Sequence, residues 1–409
     1  MTSGIDPTIA GAPFRDRVEY LLRGRPSRPV FLILVATLFN TVGYQVFIPI
    51  MPIFLTRRGA TPFIVGFVSA VALLSYGLGQ YPAGWLADRF DRRRIVALAT
   101  LGYASFFVVY LLPLPLPVIV VCRFLHAATG AFFTPGALAL VADLTPRQQV
   151  SRAFGFFQVA TMSGLLLGPL AGGVLASWSL NWVFIAAGTV CVGAALPLLF
   201  IRAPAPEHHP EAVVVATIQP STVRRLLPAI TVGWAPEYLT GMLTAIWSLY
   251  LLSRGAATWE IGLSFTLFAL PSVLGSVALG DLIDRRGAKL VMIPSLVGLG
   301  LAAPVVGFAT AVPVLILLLT AQGLFTAGER PAVYSEVTYR FSARQQARAQ
   351  GFLQMALIIG DTVGAIVGGL LYSRSATAAF ASISLMCVVS LAGVPFLWSG
   401  RRAPAGQAE

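Results

Sequence analysis

Glu237, Glu329, Arg330 and Asp361, together with Arg123 and His126, are ionisable residues set well inside long apolar runs of this 409-residue chain. Carboxyl and imidazole groups take up and release protons, and guanidinium groups supply fixed counter-charge. An uncompensated charge at the centre of a bilayer costs roughly 2.5 to 3.5 kcal/mol, so a handful of such groups opposes insertion by something like 10 kcal/mol unless paired or hydrated. They are expected to face a cavity or one another. Glu329 and Arg330 are neighbours and project about 100° apart on a helix, which favours partners on other helices over a mutual ion pair. His126 is titratable and central, and is equally readable as a proton carrier or a hydrogen-bonded packing residue. Asp143 and Glu336 fall near span ends, where interfacial placement of a charge is cheap.

Other chemistry finds little footing. No Gly-x-x-x-x-Gly-Lys-Ser loop is present to cradle a nucleotide, so ATP is not the expected energy source. Cys122, Cys191 and Cys387 all fall within apolar runs and have the spacing of neither a disulfide framework nor a metal site. His208-His209 sit beside Glu207 in a Pro-broken polar stretch without spaced partners, so no metal or other cofactor is expected. The net charge of +12 comes mostly from arginines scattered over short loops, which argues against a nucleic-acid surface.

The elements that must position these groups are membrane spans. With 57% hydrophobic and 11% charged residues, the composition excludes an ordinary soluble domain. Apolar runs between charged or Pro/Gly turns predict twelve spans, near 30–55, 62–87, 95–112, 117–141, 151–176, 180–201, 226–252, 260–280, 289–310, 313–338, 347–372 and 377–399. The expected division is a tail over 1–29, a six-helix half over 30–201, a linker over 202–224, a second six-helix half over 225–400 and a tail over 401–409. The first span is too long for a signal-peptide core and should stay attached. Of the 28 Lys and Arg residues, 22 lie on one side of this arrangement and four, Arg57, Arg58, Arg254 and Arg374, on the other. That bias predicts both termini in the cytoplasm of a multi-pass protein of the cell membrane.

The chain is also doubled. The basic turn Gly84-Trp85-Leu86-Ala87-Asp88-Arg89-Phe90-Asp91-Arg92-Arg93-Arg94 has a second copy, Gly280 to Lys289, 196 positions later. The same offset carries Pro135 to Pro331, Gly155 to Gly351, Gln158 to Gln354 and Gly172-Gly173 to Gly368-Gly369. A repeat that preserves loop charge preserves direction across the membrane, so each half holds an even number of spans related by an axis along the membrane normal.

At this point a resemblance becomes specific. Gly84-x-x-x-Asp88-Arg89-x-x-Arg92-Arg93 resembles motif A of the major facilitator superfamily, over a stretch from residue 30 to 400. Gly164-Leu165-Leu166-Leu167-Gly168-Pro169-Leu170-Ala171-Gly172-Gly173 resembles motif C of its drug:proton antiporters, and its second-half counterpart carries Ala365 in place of the proline. Arg123-Phe124-Leu125-His126 resembles motif B, with His126-Ala127 where that family usually has Gln-Gly. The resemblance implies an all-α fold of two six-helix repeats and a conformational gate at Gly84, Asp88, Arg89 and Arg92, echoed more weakly at Asp284 and Arg285. It implies proton transfer assisted by Arg123, and a cavity lined mainly by spans one, four, seven and ten.

The resulting expectation is a monomeric, non-enzymatic secondary transporter that exports amphiphilic, drug-like compounds in exchange for protons. Proton-coupled uptake of a small metabolite would call for a denser set of fixed polar groups than Asn40, Gln45, Phe132, Phe133, Trp247 and Phe268 provide. A receptor or scaffold would leave the intramembrane acids and the repeated loop without purpose. Glu237 lies about 17 Å from the cytoplasmic start of its span and Glu329 about 24 Å from the external start of its own. Both depths suit a central, alternately hydrated cavity. The first span offers Asn40 and Gln45, neither of which titrates, so Glu329 is the expected coupling acid and Glu237 its partner, ahead of Asp361.

Overall fold

The computed structural model describes residues 26–146, 149–201, 220–341 and 343–397. The expected tails, His208-His209 and the side chains of Asp88 and Arg89 lie outside the described residues, as does residue-level detail at Gly84. Among the described residues twelve helical rods follow one another: α1 Arg28–Arg57, α2 Pro62–Arg89, α3 Arg92–Leu111, α4 Leu116–Asp143, α5 Val150–Trp178 and α6 Leu180–Leu199. The second set is α7 over Pro220–Met242, Leu243–Trp247 and Ser248–Ser253, then α8 Thr258–Arg286, α9 Lys289–Phe308, α10 Val312–Arg340, α11 Ala343–Tyr372 and α12 Ala376–Phe396. Ten of these are long and apolar enough to cross a bilayer as they stand, and α8 does so as two pieces meeting at 50°. The remaining rod is α7, which carries Pro228, Pro236 and Glu237 and begins at Pro220, inside the stretch expected to be linker. Proline is at home in a first helical turn, where its missing N–H is no loss.

Local chemistry sets the boundaries. The Thr61 hydroxyl accepts from Ile64 N at 3.4 Å ahead of α2, Asp91 Oδ1 accepts from Arg93 N at 3.0 Å ahead of α3, and Ser375 Oγ accepts from Ala378 N at 3.3 Å ahead of α12. The turns after α1 and α7 end on Gly59 and Gly255, at φ 88° and 83°, a region open to glycine. Those two glycines are 196 positions apart. So are the interruptions inside the rods: the turn at 48–50 of α1 matches the π turn Leu243–Trp247 of α7, and the turn at 131–132 of α4 matches the one at 327–328 of α10. The repeat thus extends from loop sequence to the places where spans one, four, seven and ten lose regular helix.

The halves meet along α5 with α8 and α2 with α11. Near the rod ends away from the basic loops, Gly173 faces Gly262 and Gly66 faces Gly369, so closely that a Cβ added to Gly262 would lie 3.0 Å from the Gly173 Cα. Thr266 Oγ1 of α8 donates to the Leu166 carbonyl of α5 at 2.8 Å. On that side one apolar core passes through both halves, from Phe54, Tyr110 and Phe184 to Trp247, Tyr250 and Phe380. Toward the basic loops the cores part: Val96, Leu140 and Phe157 belong to a cluster confined to the first half, and Leu226, Val337 and Leu353 to one confined to the second. The cleft between the halves opens toward the basic loops.

Candidate functional site

The turn at 327–328 starts a new helical segment at Glu329, so Glu329 and Arg330 leave α10 at the cleft wall in different directions. Arg330 Nη2 donates to Glu237 Oε1 of α7 at 3.1 Å, and Nη1 donates to the Tyr334 hydroxyl at 3.3 Å. Gln354 Nε2 of α11 donates to the same hydroxyl. The Glu237 side chain is only 5% exposed, whereas that of Arg330 is 57% exposed to the cleft. Glu329 meets α7 one turn away from Glu237, at Gly233, where a Cβ would sit 3.1 Å from Glu329 Oε1. That oxygen is buried without a hydrogen-bond partner.

Asp361 joins this group from α11, near enough to Glu237, Arg330 and Glu329 to feel the charge of each. Its Oδ1 is also buried without a partner. Gly241 permits the approach of the two helices, since a Cβ there would come within 1.8 Å of the Asp361 carbonyl oxygen. Three carboxyl groups therefore surround one guanidinium, and only Glu237 bonds to it. Tyr334, Gln354, Gly233 and Gly241 escaped the sequence reading, although Gln354 stood out there as the repeat of Gln158.

Arg123 and His126 of α4 lie apart from this cluster, in the core that joins the halves. The Arg123 guanidinium sits over the Phe47 ring at 5.0 Å, and among the described residues no carboxylate pairs with it. The His126 ring is fully buried, shares a hydrogen bond of 2.9 Å with Tyr110 through Nδ1, and lies among Phe47, Tyr103, Phe106 and Phe107 with centroids 4.1 to 5.6 Å away. Of the residues expected in the cavity, Asn40, Gln45 and Phe132 are half-buried. Trp247 is fully enclosed instead, its indole donating to Ser264 Oγ at 2.9 Å. It packs the joined side of the molecule because the π turn aims it at α8 and away from the cleft.

The glycines of α5 serve two faces. Gly164, Gly168 and Gly172 lie against Thr41, Gln45 and Val46 of α1, whereas Pro169 and Gly173 lie against Gly262 of α8, across the boundary between halves. Gly360, Gly364 and Gly368 repeat the first contact against α7, and Ala365 with Gly369 repeats the second against Gly66. At the basic loops, Arg92 pairs with Asp143 at 2.6 Å and Arg93 Nη1 donates to the Ile201 carbonyl at 2.6 Å, tying α3 to the ends of α4 and α6. In the second half Asp284 accepts from the Tyr339 hydroxyl at 3.3 Å, and Arg285 pairs with Asp281 at 3.0 Å.

The family model of the Major Facilitator Superfamily matches residues 33–259 and 238–409. The chain belongs to this superfamily. Among its relatives are Multidrug resistance protein 2 of Bacillus subtilis, 23% identical over 93% of this chain and 97% of that protein, and Multidrug resistance protein MdtG of Enterobacter lignolyticus, 27% identical over 84% and 85%. Similar solved structures include a POT family transporter in complex with a thioalcohol-conjugated peptide, with a TM-score of 0.77 and 14% identity over 92% of this chain and 97% of that one. A bacterial homologue of the lysosomal transporter Spinster matches with a TM-score of 0.72 and 16% identity over 91% and 97%. As a major facilitator protein the chain is a multi-pass membrane transporter of small molecules and not an enzyme.

Proposed function

We propose that the chain exports amphiphilic, drug-like organic cations in exchange for protons, by alternating access of the cleft. The observation that carries this reading is the pair of buried, unpartnered carboxyl oxygens on Glu329 and Asp361, beside a guanidinium that Glu237 already holds. A carboxyl in such a place calls for a proton or a cationic group, and a site that accepts either one in turn is an exchanger. Glu329 is the coupling acid in this scheme, and Glu237 sets the position of Arg330. Asp361 adds a further carboxyl beside Glu237, and Arg123 and His126 act from the joined side. The names of the multidrug-resistance relatives agree with the substrate class.

Asp88 and Arg89 brace the basic loop in the conformation that closes the cleft, and the α5 glycines and Pro169 keep α5 on α1 and α8. The working unit is the monomer. The test is uptake of ethidium into everted membrane vesicles energised to an acidic interior. Vesicles with the protein should accumulate the dye at least about tenfold faster than vesicles without it, and lose that excess when a protonophore collapses the gradient. Asp88→Asn should keep the protein in the membrane and lose most of the excess. Uptake indifferent to the protonophore would overturn the exchange reading.

Both termini and the linker face the cytoplasm of the cell membrane in this proposal, so the cleft shown here is open inward. In a variant lacking Cys122, Cys191 and Cys387, an impermeant thiol reagent should modify Arg374→Cys in intact cells and leave His209→Cys untouched. Modification of position 209 would reverse the orientation.

A further inference from the structure

α12 has no charged residue of its own, yet it holds α7 on both sides of Glu237. The backbone N–H of Ala235 donates to Ser390 Oγ at 3.2 Å, and both residues are fully buried. The Ser382 hydroxyl gives its proton to the Ala379 carbonyl at 2.6 Å, so the 2.7 Å contact beside it runs from the Tyr238 hydroxyl to Ser382 Oγ. Gly393 closes against the preceding turn of α7, where a Cβ would lie 3.0 Å from Thr231 Cβ and 3.1 Å from Val232 Cγ2.

These contacts surround the point where α7 is least able to hold itself straight. Pro236 has no N–H to offer the Val232 carbonyl, and its ring crowds that carbonyl, so the rod can bend there, next to Glu237. Ser390 holds the peptide group just ahead of the proline, and Ser382 holds the side chain just after the acid. Glu237 itself projects about 100° from Tyr238 around the helix, and its carboxylate goes to Arg330 of α10.

The repeat supplies a comparison. Moving back 196 positions turns Pro236 into Asn40, Glu237 into Thr41, Tyr238 into Val42, Ser382 into Ala186 and Ser390 into Ala194. α6 packs on α1 as α12 packs on α7, with Gly43 against Cys191 and Ala187. At these positions the first half has no serine to offer and no acid to place. We infer that Ser390 and Ser382 are positioning residues, which fix the bend of α7 at Pro236 and so hold Glu237 within reach of Arg330. This rests on the role given to Glu237 above, and it adds an uncharged rod to the parts that set the charged cluster.

Full-length protein purified in detergent tests this, with ethidium binding and thermal unfolding as the two readouts. Ser390→Ala should weaken ethidium about tenfold, and Ser382→Ala, at a half-buried position, about threefold. Ser384 Oγ donates to the Gly300 carbonyl of α9 at 2.7 Å, so Ser384→Ala loses a bond of the same kind from the same rod and should stay within about twofold of wild type. In a Glu237→Gln background, which weakens ethidium by itself, either α12 variant should add less than about twofold, because no carboxylate is left to place. Full additivity with Glu237→Gln, or an equal loss in Ser384→Ala, would overturn the inference. Unfolding decides the same question without a ligand: the combined drop in melting temperature for Ser390→Ala with Glu237→Gln should fall short of the summed single drops by at least about 2 °C. Additive drops would overturn it as well. If the wild type binds no ethidium while the unfolding drops remain coupled, the export reading falls and the positioning of Glu237 by α12 stands.

Discussion

Glu329→Gln is expected to abolish the dependence of efflux on the pH gradient, lowering gradient-driven transport by about 100-fold, which corresponds to about 2.7 kcal/mol, while binding of a cationic substrate stays within about threefold. Glutamine has the size and shape of glutamate, so the space beside Gly233 stays filled and α7 and α10 keep their contact. What the substitution removes is an oxygen that takes up and releases a proton. Because Glu329 Oε1 accepts no hydrogen bond, the variant breaks none there, and a fall in gradient-driven transport with binding retained reports the loss of the proton site. Glu237→Gln behaves differently. It deprives Arg330 of a charge-assisted bond of 3.1 Å, so substrate binding and the packing of α7 on α10 change together. The measurement is the initial rate of ethidium efflux at a series of imposed gradients, with binding measured in parallel. If Glu329→Gln keeps the wild-type gradient dependence and Asp361→Asn loses it, the proton path runs along α11.

Gly172→Ala is expected to cost at least about 3 kcal/mol of stability and most of the folded protein recovered from membranes, although it adds a single methyl group. The added carbon would lie 1.8 Å from the Val46 carbonyl oxygen and 2.7 Å from its carbonyl carbon. Both are backbone atoms, so no rotamer change relieves the contact, and α5 must move off α1. Such a shift also disturbs Gly173 on the next face, which holds α8 of the other half. Gly155→Ala on the same rod is the control, because a Cβ there meets nothing within 4 Å. Size-exclusion profiles and thermal unfolding of the solubilised variants check this. Wild-type stability for Gly172→Ala would mean that α1 and α5 are held by something other than the bare glycine face.

Much of the fold was legible beforehand because membrane physics writes it into composition. A bilayer core of about 30 Å requires about 20 apolar residues per helix, and that requirement alone marks out most of the spans. The boundary missed most clearly was Pro220. Four prolines between 204 and 220 read as interruptions, yet the last of them opens a helix. Prolines suit linkers and first turns alike, and only the packing of the following residues separates the two cases.

The candidate site divides in the same way. Sequence by itself determined that Glu329, Arg330 and Asp361 lie within spans and Glu237 within a long apolar run, that the chain is a repeat at 196 positions, and that Glu329 and Arg330 diverge, since helical period alone places side chains around their own axis. The tertiary structure decided that Arg330 bonds to Glu237, 93 residues away, and that Glu329 faces a glycine. It also enclosed His126 in aromatic rings, turned Trp247 into the joined core, and gave the α5 glycines their two separate partners. Helical period does not set the rotation of one rod against another. That rotation follows from the summed shapes of side chains and bare glycine faces contributed by several helices at once, which no single segment of the chain contains.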